Sequence, residues 1–285
     1  DIFAMGARPI ALLNSLRFGP LTDPSNRYLF EGVVAGISGY GNCIGVPNVG
    51  GEIVFSRSYA GNPLVNAMCV GLLEAGSMVQ ATTGSPGNLL MLVGADTGRD
   101  GIHGASGLAS RTFEDERELR PTVQVGNPFL EKVLIEACLE AAQNEHVVGV
   151  QDLGAAGLTS AAVEAASKGG TGIELDVSQV PRRDIGMAPY EVMLSESQER
   201  MLVIVKDGRQ DEIKAIFDKW DLDSTVIGRA TDDGLARIYE DGILHAEAPV
   251  GLLIDAPQYR PSAVESQLVA ELQQYDLDSV PLPEE

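Results

Sequence analysis

Residues 127–177 read NPFLEKVLIEACLEAAQNEHVVGVQDLGAAGLTSAAVEAASKGGTGIELDV. Asn127-Pro128 opens a helix, with Asn as N-cap and Pro at the first helical position. Leu130, Leu134 and Cys138 recur at helical spacing, as do Val133, Ala137 and Ala141. Val147–Val150 is a short apolar run that reads as a strand, and it delivers Gln151-Asp152-Leu153-Gly154. Ala161–Lys168 is a second helix, stopped by Gly169-Gly170. Ile173–Val177 returns to a strand. Helix and strand thus mix within fifty residues, which places the chain among proteins that combine both.

The pattern extends both ways. Asn88–Gly94 is apolar on successive residues, the signature of a strand covered on both faces. Met201–Val205 reads the same way. Glu212–Trp220 is a helix with Ile213, Ile216, Phe217 and Trp220 on one face. Val226-Ile227 and Ala236–Ile243 suggest closing strands, with Glu240-Asp241-Gly242 as a hairpin turn. Before Thr83 the chain mixes short apolar runs with glycine turns. Arg8–Leu16 reads as a strand, and Tyr28–Ser38 fits helix or strand. Ile53–Ser58 and Val65–Leu73 read as strands, or as one strand and one short helix. No long amphipathic helix is expected in this part. After Arg260 there is no Lys or Arg. Val264–Tyr275 suits a helix, and Pro281-Leu282-Pro283 looks like a linker. The numbering begins at Asp1 rather than Met, so the chain reads as a piece of a longer protein.

Charge narrows the function. Lys and Arg number 20 against 41 Asp and Glu, a net charge of −21 over 285 residues. Such a balance disfavours sequence-independent nucleic-acid binding and anionic membrane surfaces. It leaves room for a phosphorylated small molecule, held by Mg²⁺, backbone N–H groups and a few Arg. No stretch is apolar long enough to span a bilayer, and no secretory signal opens the chain. Cys43, Cys69 and Cys138 are widely spaced and odd in number, so they read as three small core residues of a reducing compartment.

Several positions carry chemistry. Asp152 ends a predicted strand and precedes Gly154-Ala155-Ala156-Gly157. A carboxylate there suits either a hard cation beside a phosphate-binding helix start, or a plain helix cap. Glu196-Ser197-Gln198-Glu199-Arg200 is a dense polar run between apolar strands. It offers donors and acceptors to a hydroxyl- and amide-bearing substrate, or is simply a turn. Gln124 lies before Gly126-Asn127-Pro128, within reach of a ligand over that helix start. Asp1 alone reads as a solvated terminal acid. His103 sits among glycines, but the Gly-Lys-Ser/Thr element of a P-loop is absent. His103, His146 and His245 lack metal-like spacing, and His146 is expected to face a helix C-terminus.

Taken together, DIFAMGARPIA, GISGYGNCIGVPNVGGEI, NPLVNAMCVG, GIHGASGLAS, QVGNPFLEKVLIEA, QDLGAAGLTSA and SESQERML occur in this order. In that order they resemble the phosphoribosylformylglycinamidine synthase family, specifically the synthetase (large) subunit of the multi-subunit type. The resemblance runs from Asp1 to about Arg260, and SESQERM is its most diagnostic run. It implies an α+β fold: a partial ferredoxin-like α/β domain over 1–84, an α+β domain over 85–260 and an acidic linker over 261–285. It implies an ATP-dependent C–N ligase of the aminoimidazole ribonucleotide synthetase-like superfamily. In that family ATP phosphorylates the amide oxygen of formylglycinamide ribonucleotide (FGAR), and ammonia then displaces phosphate from the iminophosphate.

By motif, the resemblance makes Asp1 and Asp152 ligands of Mg²⁺, and Gln124, Glu196, Ser197 and Gln198 substrate contacts. ATP and Mg²⁺ are the implied cofactors. A glutaminase subunit and a small accessory subunit are the implied partners, a homodimer through the first domain is a further one, and the implied location is the cytoplasm. The family's upstream catalytic His and ATP-contacting Lys have no counterpart here. No catalytic residue is therefore assigned, and the chain is expected to be inactive alone. Two other readings remain: another enzyme of the superfamily, against which ESQERM and GARPIALLNSLRFG argue, and a non-catalytic dimerising fragment.

Overall fold

The computed structural model describes residues 1–102, 124–255, 258–276 and 279. The chain divides into two compact units, Asp1–Ile254 and Asp255–Glu285.

The first unit opens with a 3-10 turn, Phe3–Met5, followed by strand β1 (Arg8–Phe18), helix α1 (Pro24–Ile44), β2 (Asn48–Phe55) and β3 (Leu64–Leu72). The three strands form a sheet in the order β2-β1-β3, with β2 parallel and β3 antiparallel to β1. The expected strand over Arg8–Leu16 is thus present and two residues longer. Helix α1 corrects the expectation that no long helix lies in this region. Its start is well marked: Asp23 caps it by accepting from Ser25 N at 2.9 Å, and Pro24 stands at the first position. Its interior contains Gly32, Gly36, Gly39 and Gly41, which lower intrinsic helix propensity and blur the apolar periodicity. Only Asn26, Gly41 and Ile44 of α1 are buried.

Next come β4 (Leu89–Gly94), α2 (Pro128–Ala141), β5 (Val147–Asp152), α3 (Gly157–Gly169), β6 (Gly172–Asp176), α4 (Pro189–Leu194), β7 (Arg200–Val205), α5 (Gln210–Lys219), β8 (Ser224–Thr231), β9 (Leu235–Glu240), β10 (Ile243–Pro249) and α6 (Val250–Ile254). The strands make a seven-stranded sheet in the order β10-β9-β6-β8-β4-β7-β5. All neighbours are antiparallel except β6 and β9.

Strand β4 throughout and β7 from Met201 onward are apolar because both faces are covered. Leu90, Leu92, Leu202 and Ile204 point into one core with Leu158, Ala162 and Ala166 of α3 and Val192 of α4. Met91, Val93, Met201, Val203 and Val205 point into the other, with Leu134 and Cys138 of α2 and Ile213 and Phe217 of α5. Phe3, Ala4, Ile44 and Val46 join this second core, so the opening turn and the end of α1 are anchored to the large sheet. Cys138 is buried there as expected, but Cys43 is exposed. On the surface, Arg8 of β1 grips Glu136 of α2 through two bonds, at 2.8 and 2.9 Å.

The second unit contains α7 (Gln267–Gln273), within the expected 264–275 span and capped by Ser266, whose hydroxyl accepts from Val269 N at 3.2 Å.

Because β7 faces two cores, truncating it leaves a cavity that neither side can close. Leu202→Ala is expected to cost about 2–5 kcal/mol in urea-induced unfolding. Leu244→Ala, on the exposed edge strand β10, is expected to stay within about 0.5 kcal/mol.

Candidate functional site

The polar run Ser195–Glu199 joins α4 to β7 and, unlike an ordinary surface turn, lies inside the protein. Ser195, Glu196, Ser197, Glu199 and Arg200 are all buried. Buried polar groups need partners, and here the partners come from four separate segments.

Glu196 is the hub. Its Oε2 accepts from Gln124 Nε2 at 2.6 Å, and its Oε1 accepts from Ala156 N at 3.0 Å. Its own backbone N–H donates to Asp100 O at 2.8 Å. Gln198 Nε2 donates to Gln124 Oε1 at 3.0 Å and to Glu196 O at 3.1 Å. Three of the sequence-predicted substrate residues, Gln124, Glu196 and Gln198, therefore form one continuous polar cradle. Ser197 turns the other way. Its hydroxyl donates to Asp100 Oδ2 and accepts from Gly98 N at 2.9 Å, so it ties the turn to the loop after β4.

Two glycines make these approaches possible. Gly101 has φ +64°, and a Cβ there would stand 2.5 Å from Glu196 Cβ. Gly157 has φ +53°, and a Cβ would meet Ser195 O at 1.9 Å. Both conformations and both clearances suit only glycine. The start of α3 thereby sits directly against the turn.

Asp152 ends β5 opposite Met201 of β7. It is half-buried, and Oδ1 accepts from Gln151 Nε2 at 3.3 Å. It does not cap α3: the N-cap is Ala156, with left-handed backbone and no side-chain cap bond. The capping alternative is therefore not what its side chain does. Two residues beyond Gly154, Ala156 N bonds Glu196, which links the Asp152 loop to the cradle. Asp1 is exposed and precedes the Phe3–Met5 turn, which packs on β5. Among the described residues no group of three or more His, Cys, Asp or Glu is arranged as a complete metal site. Two carboxylates suffice only for a cation that takes its other ligands from phosphate and water, as Mg²⁺ does.

Glu199 extends the network to the first half of the unit. Its backbone is left-handed at φ +58°. Its Oε1 accepts from Tyr40 Oη of α1 at 2.8 Å and from Asn127 N at 3.0 Å. Nearby, burial and then the charge of Glu199 push the Glu131 carboxyl up to about 7. Burial, with Glu131 and Glu199 behind it, pushes the Tyr40 phenol upward.

Sequence reading missed Asp100, Glu199, Arg200, Glu131 and Tyr40. Glu199 and Arg200 stand inside the singled-out run, so proximity was their signal; Tyr40 and Glu131 had none. Asn127 caps α2 as expected, accepting from Leu130 N at 3.2 Å. His146 departs from expectation: it stands 3.7 Å from Glu212 of α5, and its Nδ1 is buried without a partner among the described residues. His103 lies outside the described residues.

Comparison with known proteins gives the following. The family model for the N-terminal domain of AIR synthase related proteins matches residues 1–73, and that for the C-terminal domain matches 85–240. The chain is 59% identical over 282 residues to the phosphoribosylformylglycinamidine synthase subunit PurL of Thermomicrobium roseum, covering 99% of this chain and 38% of that protein. It is 54% identical over 286 residues to the PurL subunit of Moorella thermoacetica, covering 100% of this chain and 39% of the relative. It thus spans about two fifths of the length of these relatives. Among solved structures, T. maritima PurL complexed with FGAR superposes with TM-score 0.83 at 39% identity, over 92% of this chain and 43% of that one. T. maritima PurL complexed with ATP gives 0.77 at 37% identity, over 93% and 42%.

The raised Glu131 carboxyl has a testable sign. Its folded pKa lies above the ordinary carboxylate value, so the folded state holds this proton more tightly than the unfolded chain does. Stability associated with it is therefore full below about pH 4.5 and falls as pH rises to about 7. Glu131→Gln is expected to flatten that part of the melting-temperature-against-pH curve and to raise the melting temperature at pH 8. An unchanged slope in the variant counts against the assignment.

Proposed function

The chain belongs to the AIR synthase related family, and from that premise we propose that it supplies the substrate cradle of a phosphoribosylformylglycinamidine synthase. The reaction is the ATP-dependent conversion of FGAR to its amidine. The observation that carries this reading is the convergence of Gln124, Glu196 and Gln198 on one another, next to the loop that follows Asp152. The likeness to a PurL complexed with FGAR supports the same substrate.

Activating an amide requires its oxygen to be brought in line with the γ-phosphoryl group of ATP, while the charge on the phosphates is neutralised. Positioning and electrostatics dominate, and little side-chain chemistry is needed. The amide groups of Gln124 and Gln198 offer both donor and acceptor to the polar FGAR chain. Glu196 sets their orientation and adds a carboxylate acceptor. Ser197, whose hydroxyl is engaged inside the protein, contributes by holding the turn in place. Asp152 and Asp1 would hold Mg²⁺ together with the phosphates of ATP. That ion supplies charge neutralisation. Once the amide oxygen carries phosphate, ammonia adds to the carbon and phosphate leaves, giving the amidine.

The residues named here bind and orient; none is assigned to covalent catalysis. Glutamine-derived ammonia implies a glutaminase subunit and a small accessory subunit as partners, and purine synthesis implies the cytoplasm. The exposed side chains Val49, Ile53, Phe55, Val65 and Met68 on β2 and β3 favour a further contact through the three-stranded sheet, with a second copy of this chain as one occupant.

Calorimetry of FGAR binding tests the reading. Gln124 is exposed, so Gln124→Ala is expected to leave the fold intact while weakening FGAR about tenfold, as the loss of a hydrogen bond to a charged group predicts. Asp152→Asn is expected to weaken Mg²⁺-dependent ATP binding and to spare FGAR. FGAR binding that neither Gln124→Ala nor Glu196→Gln disturbs would sink the proposal.

A further inference from the structure

Arg200, the first residue of β7, is among the most deeply buried charged side chains of the first unit, at 3% exposure. All three guanidinium nitrogens are used. Nη2 donates to Ser195 O at 2.6 Å, Nε to Ser197 O at 2.9 Å and Nη1 to Thr97 Oγ1 at 2.9 Å. Among the described residues, every hydrogen-bond partner is neutral. Asp100 lies close enough to favour the charge, but its own bonds go to Ser197 and Arg183. Desolvating a cation without a directly bonded carboxylate is costly. Burial pulls this guanidinium down to about 10, although Asp100 opposes the shift. Packing alone gives no reason for such a group, since an apolar side chain of similar volume would fill the space at lower cost.

We infer that Arg200 is the positioning residue of the substrate turn, fixing the peptide planes that aim Glu196 and Gln198. A peptide unit is planar, so holding a carbonyl oxygen also fixes the N–H of the next residue. Arg200 holds Ser195 O from one side, and Glu196 N–H, in the same plane, donates to Asp100 O on the other. Arg200 also holds Ser197 O, and that plane carries the N–H of Gln198. The chain is thereby fixed just ahead of both cradle residues. The fork geometry is essential: a rigid guanidinium addresses two carbonyls and one hydroxyl at fixed angles, which a lysine ammonium on a flexible stem does not. The third bond, to Thr97, ties the loop after β4 to the same centre, and that loop is held in turn by Thr97 N donating to Pro181 O at 2.9 Å.

This inference rests on the proposed role of the cradle, but its test separates the two. Amide hydrogen exchange at Glu196 reads the turn directly, without ligand. In Arg200→Lys, charge and approximate volume are kept while the fork is lost. Exchange at Glu196 is expected to rise roughly tenfold or more, in line with a hydrogen bond to a charged donor, while amides of β4 in the sheet interior stay protected. FGAR binding is expected to weaken roughly ten- to a hundredfold, as the loss of one hydrogen bond to a charged group does. Thr97→Val removes only the Nη1 acceptor at nearly constant volume, and should give a smaller rise at the same amide. Unchanged exchange at Glu196 in both variants overturns the inference, as does protection lost uniformly through β4 and β7. If the unsubstituted chain does not take FGAR at all, the cradle's substrate is wrong, and the exchange result still decides the role of Arg200.

Discussion

Placing two carboxylates, two hydroxyls and a guanidinium at the buried entrance of β7 costs desolvation free energy that only hydrogen bonds can offset. Every segment around Ser195–Arg200 is shaped by that demand. The loop after β4 brings Thr97, Gly98 and Asp100; the turn after β5 brings Ala156 N; the approach to α2 brings Gln124 and Asn127; α1 brings Tyr40. These segments are distant in sequence, so satisfying one five-residue turn fixes the relative placement of most of the unit. Left-handed backbone at Ala156 and Glu199, neither of them glycine, is the accompanying strain. Strain of this kind persists where surrounding bonds over-determine it.

The large sheet makes the demand bearable. With β4 and β7 each paired on both sides and a core on each face, it is stiff where the turn enters it. Close packing on both sides leaves Arg200 and Gly94 little freedom to shift along their shared register. A polar constellation built at the end of such strands holds its geometry better than one carried on a free loop. The opening turn, through Phe3 and Ala4, and α1, through Ile44, pack into one of those cores. The first half of the unit is thus attached to the same rigid body as the cradle, and Tyr40 reaches Glu199 across that junction.

The large sheet and its helices were legible from local pattern. Leu89–Gly94 and Met201–Val205 are continuous apolar runs, and α2 and α3 carry Asn-Pro and Gly-Gly boundaries that state where they begin and end. Helix α1 was not, because Gly32, Gly36, Gly39 and Gly41 erase the periodicity that a mostly exposed helix shows only weakly. Within the site, Gln124, Glu196, Ser197 and Gln198 were singled out, but their division of labour was not readable. A hydroxyl that faces Asp100 and a carboxamide that joins Glu196 look alike in sequence. Tyr40 and Glu131 become visible only when two helices meet. Arg200 was hidden by its position: a charged residue at a strand's start reads as a surface boundary, whereas here the strand begins inside the core.

The charge balance poses a last physical question: how a chain with net charge −21 would receive the phosphate groups of the proposed substrates. The arginines nearest the turn do not answer it, since each is committed elsewhere. Arg99 bonds Glu191 at 2.8 Å and the carbonyls of Ile185 and Gly186. Arg183 bonds Asp100 at 2.7 Å, and Arg200 is enclosed beneath the turn. Side-chain cations among the described residues of this region therefore organise the protein rather than face a ligand. On the proposed reading, the described part of the chain would neutralise a triphosphate through backbone N–H groups or a divalent ion. A divalent ion requires acids, and Asp152, half-buried at a strand end and not engaged in capping, is the acid that the proposed reading assigns to it. On this argument the acidic composition is no obstacle to a phosphate-handling function. It is the electrostatic condition under which, on the proposed reading, a metal rather than a basic patch would carry the positive charge.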